Sequence, residues 1–201
     1  MNPNQQPPSL DYLNQIAPQG TKRSLFADKK MRMIGILGIA VVIVIIIAAV
    51  AGSSGTAKPS EKLAARLLAT QQIATDGTSK LKSNKLRGYN ANLTIYLTNT
   101  IRDIEPLLKK ENTDIKKLDK KVTDAESSTK TLATLEDARL NVVYDRTYAR
   151  EMAYKLDAVL VLMNQTYKNT NSKSLKTFLT DAIKNLEPTQ KQFADFDSAQ
   201  S

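Results

Sequence analysis

The sequence contains no cysteine, no histidine and no tryptophan among its 201 residues. Without cysteine, the chain forms no disulfide and offers neither a thiolate nucleophile nor a thiolate metal ligand. Without histidine, Ser-His-Asp and Cys-His catalysis, HExxH zinc sites and the ExxH di-iron motif are excluded. Phosphate-binding loops and nucleophile elbows are also missing. We therefore predict a non-enzymatic protein that carries no cofactor and no metal ion.

Charged residues are plentiful but are spread along the chain. The sequence has 29 Lys and Arg against 20 Asp and Glu, a net charge of +9. Residues 1–32 hold five basic and two acidic side chains, and the chain from residue 56 onward holds twenty-four and eighteen. Nucleic-acid-binding proteins concentrate their basic residues on one face or in tracts. The interspersed charges therefore predict no nucleic-acid partner.

One long hydrophobic run stands apart from the rest of the sequence. Residues 33–51 read MIGILGIAVVIVIIIAAVA, nineteen positions without a charged or strongly polar side chain. As a helix this run is roughly 28 Å long, close to the ~30 Å hydrocarbon core of a bilayer. Its Ile, Leu and Val side chains favour insertion by about 5 kcal/mol. The run predicts a transmembrane helix over residues 33–52, with the lipid bilayer as a partner.

Positive charge on the two sides of this run predicts its orientation. More basic side chains lie just before the run than at a similar distance after it, so the positive-inside rule places the N-terminus in the cytoplasm. The alternative is a cleaved signal peptide, because Ala49-Val50-Ala51 has the A-x-A form of a cleavage site. The basic residues are Lys22, Arg23, Lys29, Lys30 and Arg32 before the run, and Lys58, Lys62 and Arg66 after it.

Residues 1–32 are rich in Asn, Gln and Pro, which predicts a disordered cytoplasmic tail. Within the tail, residues 9–17 carry Leu10, Leu13 and Ile16 at near-helical spacing, together with Tyr12. We interpret this segment as a short motif that folds on a cytoplasmic protein. The alternative interpretation is a linker with a few isolated apolar side chains.

Beyond the hydrophobic run, apolar residues recur at helical spacing and strand patterns are absent. After a linker over 53–59, we predict an all-α domain over residues 60–197, a four-helix bundle with a short extra helix. In the longest predicted helix, the apolar residues that recur every seven positions are typical of a bundle seam. These residues are Leu135, Val142, Ala149, Leu156 and Met163. The predicted helices cover about 60–82, 84–111, 114–125, 129–168 and 172–195.

Two of the predicted helices resemble each other. Residues 92–106 align without gaps on residues 174–188, at an offset of 82 residues. Two similar helical hairpins that arose by duplication explain this similarity. Shared constraints on paired bundle helices are the alternative explanation.

The short extra helix has a strongly basic face. Ile115, Leu118 and Val122 fall on one side of it, and four lysines fall on the other. We interpret the basic face as solvated, and the alternative interpretation is a binding site. The lysines are Lys116, Lys117, Lys120 and Lys121.

The densest polar cluster lies in the long predicted helix. Asp145 falls on a seam position and Arg139 and Arg146 fall beside it, so these charges must be paired or hydrated. One interpretation is a satisfied ion-pair network. The other is a pocket for a small ligand or a glycan, in which Arg pairs with carboxylates and Tyr stacks on sugars. The candidate site comprises Arg139, Asp145, Arg146 and Tyr148, with Asn99 and Asp103 facing it from the second helix.

Several segments of the chain together resemble a known set of proteins. The segments are 11–18 (DYLNQIAP), 92–104 (NLTIYLTNTIRDI), 114–121, 135–152 and 171–196. They resemble an uncharacterised set of single-span helical envelope proteins from small-genome candidate-phylum bacteria of the Saccharibacteria kind. The resemblance implies a bacterial inner-envelope setting with the bundle facing outward, and adhesion or contact with an envelope or host-cell surface component. It implies no site residues.

Taken together, these patterns predict a non-enzymatic, single-pass envelope protein of the cytoplasmic membrane, whose interaction domain is an extracytoplasmic helical bundle. The alternative is an extracytoplasmic sensor that binds a ligand at the polar cluster and acts through a partner on residues 9–17.

Overall fold

The computed structural model describes residues 57–199, with side chains as far as residue 197. This part of the chain is helical and contains no strand, as the spacing of the apolar residues predicted. The predicted tail motif over 9–17, the predicted span over 33–52 and most of the predicted linker lie outside the described residues. The helices are α1 (Pro59–Gly77), α2 (Asn84–Lys110), α3 (Lys120–Ala125), α4 (Thr129–Leu140), α5 (Tyr144–Asn169) and α6 (Lys173–Ala199), with a 3-10 turn at Ile115–Lys117.

The long helices α1, α2, α6 and α5 pack in that order around one core. Neighbouring helices in this ring are antiparallel. Gly77 at the end of α1 lies against Tyr148 in the first turns of α5, and Tyr89 near the start of α2 lies against Phe193 near the end of α6. Fully buried leucines at helical spacing fill the centre, because each helix turns one apolar stripe inward. They include Leu63 and Leu67 of α1, Leu93 and Leu97 of α2, Leu156 and Leu162 of α5, and Leu175 and Leu179 of α6.

We call the two ends of the bundle the near end and the far end. The near end is where the chain reaches the bundle at Lys58, and it also holds the turns over 111–114 and 170–172. There the hydroxyls of Ser60 and Thr113 lie 2.8 Å apart. The far end holds the turns over 78–83 and 141–143, together with the last turns of α6.

Residues 111–143 form a crossover that joins the two hairpins and climbs along the outside of α1. Arg66 of α1 forms an ion pair with Glu126, just after α3. Farther up, the hydroxyl of Ser128 donates to Gln72 Oε1 at 2.7 Å. The crossover therefore runs from the near end to the far end, where α5 begins.

No helix within residues 57–199 combines the length and the apolar composition that a bilayer-crossing helix needs.

The prediction of one continuous helix over 129–168 is wrong, because the chain turns at residues 141–143. The N–H of Val143 donates to the carbonyl of Ala138 at 3.0 Å, and Val142 has a φ of 61°. This is the Schellman arrangement that ends a helix, with Val142 at the left-handed position that glycine or asparagine usually occupies. Val142, which was predicted on the bundle seam, is 76% exposed.

Other predicted boundaries also shift. The first helix ends at Gly77 and not near residue 82, and the last extends to Ala199. The predicted extra helix over 114–125 divides into the 3-10 turn and α3, because both Asp114 and Asp119 accept a backbone hydrogen bond and begin a new turn. The second helix agrees with its predicted bounds to within one residue.

The internal sequence similarity corresponds to an equivalence in burial. Along residues 92–106 and 174–188, fourteen of the fifteen aligned pairs share the same degree of burial, and only Glu105 and Glu187 differ. Thus α2 and α6 hold equivalent places in the two hairpins. Duplication and shared packing constraints both predict this equivalence.

Candidate functional site

Tyr148, one of the predicted site residues, lies in the core at the far end. Its hydroxyl donates to Asn90 Oδ1, and Asn90 Nδ2 donates in turn to the carbonyl of Ala74 at 2.9 Å. Burial raises the pKa of the Tyr148 hydroxyl, so the hydroxyl remains a neutral donor. The chain of hydrogen bonds joins α5, α2 and α1, and it leaves the hydroxyl unavailable to a ligand.

The Tyr148 ring approaches the backbone of α1 closely. A Cβ atom at Gly77 would lie 2.5 Å from Tyr148 Cε2, so the absence of a side chain at Gly77 makes room for the ring. The ring also stacks with Tyr144 at a centroid distance of 5.8 Å and meets the Phe193 ring edge-on at 6.1 Å. This aromatic cluster was not predicted from the sequence, although Tyr144 and Tyr148 are spaced by one helical turn.

Asp145 holds the loop between α1 and α2. One carboxylate oxygen accepts the N–H of Lys82 at 3.0 Å, and the other accepts the N–H of Ser83 at 2.6 Å. Ser83 is the N-cap of α2, so this carboxylate fixes the point where the second helix begins. Both of its oxygens have backbone partners.

Arg139 and Arg146 lie on the surface and have different partners. Arg139 forms a bidentate pair with Glu136, with Nε 2.9 Å from Oε2. The hydrogen bond from Arg139 lowers the pKa of the Glu136 carboxyl. Arg146 Nε lies 3.5 Å from Asp197 Oδ1 on α6. The predicted charges are therefore paired, but as separate pairs and not as one buried network.

The structure does not bring Asn99 and Asp103 to this cluster. Both are exposed on α2, and Asp103 pairs with its neighbour Arg102 at 2.7 Å. Asp103 lies about 30 Å along the helix from Ser83, at 1.5 Å per residue. The expectation that these residues face Asp145 is wrong, because the polar stripe of α2 extends down the bundle while the cluster sits at its far end.

Two cavities in the described residues lie away from the predicted cluster. One of about 310 Å³ opens at the near end, between Lys58, Glu111 and the α5–α6 turn. Buried hydroxyls on its wall have partners: Thr166 donates to the Leu162 carbonyl at 2.8 Å, and Thr170 accepts the N–H of Ser172 at 3.0 Å. The other, of about 250 Å³, lies between α1 and the start of α4. Within residues 57–197, no three acidic side chains are arranged to hold a metal ion.

The folded chain concentrates its positive charge at the near end, which the sequence pattern did not predict. Three segments, 57–62, 105–124 and 166–176, hold eleven lysines and six acidic residues, a net charge of +5. The remaining described residues have a net charge of only +1. The lysines are far apart in sequence and meet because two helix ends, two helix starts and the 3-10 turn share this end.

No family model, curated protein or solved structure matches this chain. The candidate sites therefore stand on their own geometry.

Proposed function

We propose that this is a non-enzymatic, single-pass protein of the bacterial cytoplasmic membrane that presents its helical bundle on the outer face. The observation that carries the proposal is the uncharged run over 33–51, which precedes the first bundle helix by only seven residues. A run of this length and composition partitions into a bilayer. The five basic residues before it favour a cytoplasmic N-terminus. The resemblance to single-span envelope proteins supports the same arrangement.

The chemistry of the bundle supports a role in interaction more than one in catalysis. Within its predicted polar cluster, Tyr148, Arg139 and Arg146 already have protein partners, and Asp145 uses both oxygens on backbone N–H groups. The alternative of a ligand sensor at this cluster has less support, because the carboxylate of Asp145 and the guanidinium groups of the two arginines are already paired within the protein. We place the interactions at the cytoplasmic motif over 9–17, for a protein partner, and on the bundle, for an envelope or host-cell surface component.

The absence of cysteine gives a direct test of topology. Two variants of the full chain each carry one cysteine: Ser9→Cys in the tail, and Ser79→Cys at an exposed position of the bundle. Intact spheroplasts that express either variant are treated with a membrane-impermeant maleimide. The expected result is labelling of the Ser79→Cys variant in intact spheroplasts and of the Ser9→Cys variant only after lysis. The native chain is the control, because it has no thiol to label.

Three outcomes would contradict the proposal. They are the reverse labelling pattern, release of the intact chain by alkaline carbonate, and a mature product that has lost residues 1–51. The last outcome would establish the cleaved signal peptide.

The tail motif has its own test. Affinity capture with the full chain should recover a cytoplasmic partner that is lost when Leu10, Leu13 and Ile16 are all changed to alanine. A matched triple change of Asn4, Gln5 and Gln6 to alanine should retain the partner. Equal recovery with both variants would show that residues 9–17 serve only as a linker.

A further inference from the structure

We propose that the lysine-rich near end of the bundle docks on the anionic phospholipid headgroups of the membrane that holds residues 33–51. The inference rests on the proposed anchor and adds to it a contact surface, a partner and a physical cause. It reverses the interpretation of the basic face over residues 116–121 as merely solvated.

The charge of the near end comes from exposed side chains. Lys109, Lys110, Lys117 and Lys121 are all exposed, and lysine side chains are long enough to reach a neighbouring surface. Lys116 pairs with Glu105 at 2.6 Å and Lys120 pairs with Asp124 at 2.8 Å, so these two contribute less. Two helices begin and two end here, so their dipoles largely cancel. The potential at this end is therefore set by the lysines.

The length of the connecting chain favours lipid as the partner. Residues 52–58 span at most about 25 Å when fully extended, so Lys58 stays within that distance of the end of the apolar run. The far end of the bundle lies farther from Lys58 by about the length of α2, roughly 40 Å at 1.5 Å per residue. The end of the bundle that is tethered closest to the bilayer is thus the end that carries a net charge of +5.

Tethering also gives the headgroups an advantage over other polyanions. Because the proposed span anchors the chain in the bilayer, the near-end lysines meet the lipid headgroups at a high effective concentration. A free nucleic acid or acidic protein has no such advantage. Each lysine near an anionic leaflet changes the ratio of docked to undocked molecules by about fivefold. Removing four lysines should therefore lower this ratio by roughly several hundredfold. The attraction is screened within about 10 Å at 0.1 M salt and within about 3 Å at 1 M salt.

Energy transfer on the reconstituted full chain tests the proposal. A donor fluorophore is placed on the Asn171→Cys variant at the near end or on the Ser79→Cys variant at the far end, with an acceptor on lipid headgroups. Vesicles contain phosphatidylcholine alone or phosphatidylcholine with phosphatidylglycerol. We expect transfer from the near-end label to increase with phosphatidylglycerol and to lose that increase in high salt. Transfer from the far-end label should not increase.

Matched lysine variants identify the surface. Changing Lys109, Lys110, Lys117 and Lys121 to glutamine should reduce transfer from the near-end label in anionic vesicles to its value in phosphatidylcholine. The control changes four lysines that are also exposed but lie away from the near end, and it should keep the response. The control positions are Lys82, Lys130, Lys184 and Lys191.

The outcomes separate docking from anchoring. If alkaline carbonate strips the chain from the vesicles, the proposed anchor is wrong. If the chain stays embedded but transfer is equal in both kinds of vesicle, or both lysine variants lose the response equally, docking is wrong and the anchor stands. If an oligonucleotide protects the near-end lysines from acylation while anionic vesicles do not, the partner is a nucleic acid and the lipid proposal fails.

Discussion

At the residue scale, Gly77 is the position where added volume is least tolerable. A methyl group at Gly77 would meet the Tyr148 ring at 2.5 Å, and that ring is fully buried and hydrogen-bonded to Asn90. We expect Gly77→Ala to lower the free energy of unfolding by about 1–3 kcal/mol, the usual effect of overpacking. Gly88→Ala should instead raise it by up to about 1 kcal/mol, because nothing lies within 4 Å of the new methyl group and alanine favours the helix.

Thermal unfolding of the full chain in detergent, followed by circular dichroism, measures both glycine variants. Equal effects of the two substitutions would show that the Tyr148 ring moves aside at little cost.

The two stacked tyrosines differ in what their hydroxyls do. The Tyr148 hydroxyl donates to Asn90, whereas the buried Tyr144 hydroxyl has no partner within the described part of the chain. Tyr148→Phe leaves Asn90 Oδ1 without this donor and should lower the free energy of unfolding by about 1–3 kcal/mol. Tyr144→Phe removes an unsatisfied group and should be neutral or stabilising. Denaturant midpoints of the two variants should therefore move apart, and a larger loss for Tyr144→Phe would reverse the assignment.

At the element scale, the same helix-ending arrangement occurs twice with different residues. Asn112 follows α2 with a φ of 57°, and Val142 follows α4 with a φ of 61°. Asparagine tolerates this region, whereas a β-branched side chain is strained there. Val142→Asn should therefore stabilise the fold by about 1 kcal/mol, and Asn112→Val should destabilise it by a similar amount. Thermal unfolding that shows no gain for Val142→Asn would mean that the turn relaxes without strain.

Val142 also explains which part of the helix prediction failed. The periodicity of Leu135, Ala149, Leu156 and Met163 is genuine, since all four are buried. However, these residues belong to two helices, and the position that continued the pattern between them is where the chain turns. A glycine or asparagine at residue 142 would have indicated the break. Because valine is apolar, it instead continued the seven-residue pattern and predicted an unbroken helix.

At the scale of the whole molecule, the crossover is held less firmly than the four long helices. Residues 111–143 contact the bundle mainly through α1 and α5 and contribute few large buried side chains. Segments with few buried apolar contacts open at lower free energies than the core. Native-state hydrogen exchange should therefore show α3 and α4 opening before α5 and α6. Equal protection of all these helices would indicate a single cooperative unit.

The sequence predicted the helical class and the core stripes because helix periodicity is a local property. It did not predict the site geometry, which depends on where distant residues meet. Asp145 was recognised as a charge near the core, but its partners at residues 82 and 83 come from a loop far away in sequence. The concentration of lysines at the near end has the same origin. The basic face over residues 116–121 was visible in the sequence, but the seven other lysines that share this end lie in segments far apart along the chain.

The directions of the first and last helices have a mechanical consequence. Since α1 and α6 both run from the near end toward the far end, residues 57 and 199 lie at opposite ends of the bundle. Tension applied between these two points acts lengthwise, so the helices must slide past one another and break many contacts at once. A rod loaded in this way resists stretching better than a hairpin pulled open from one side.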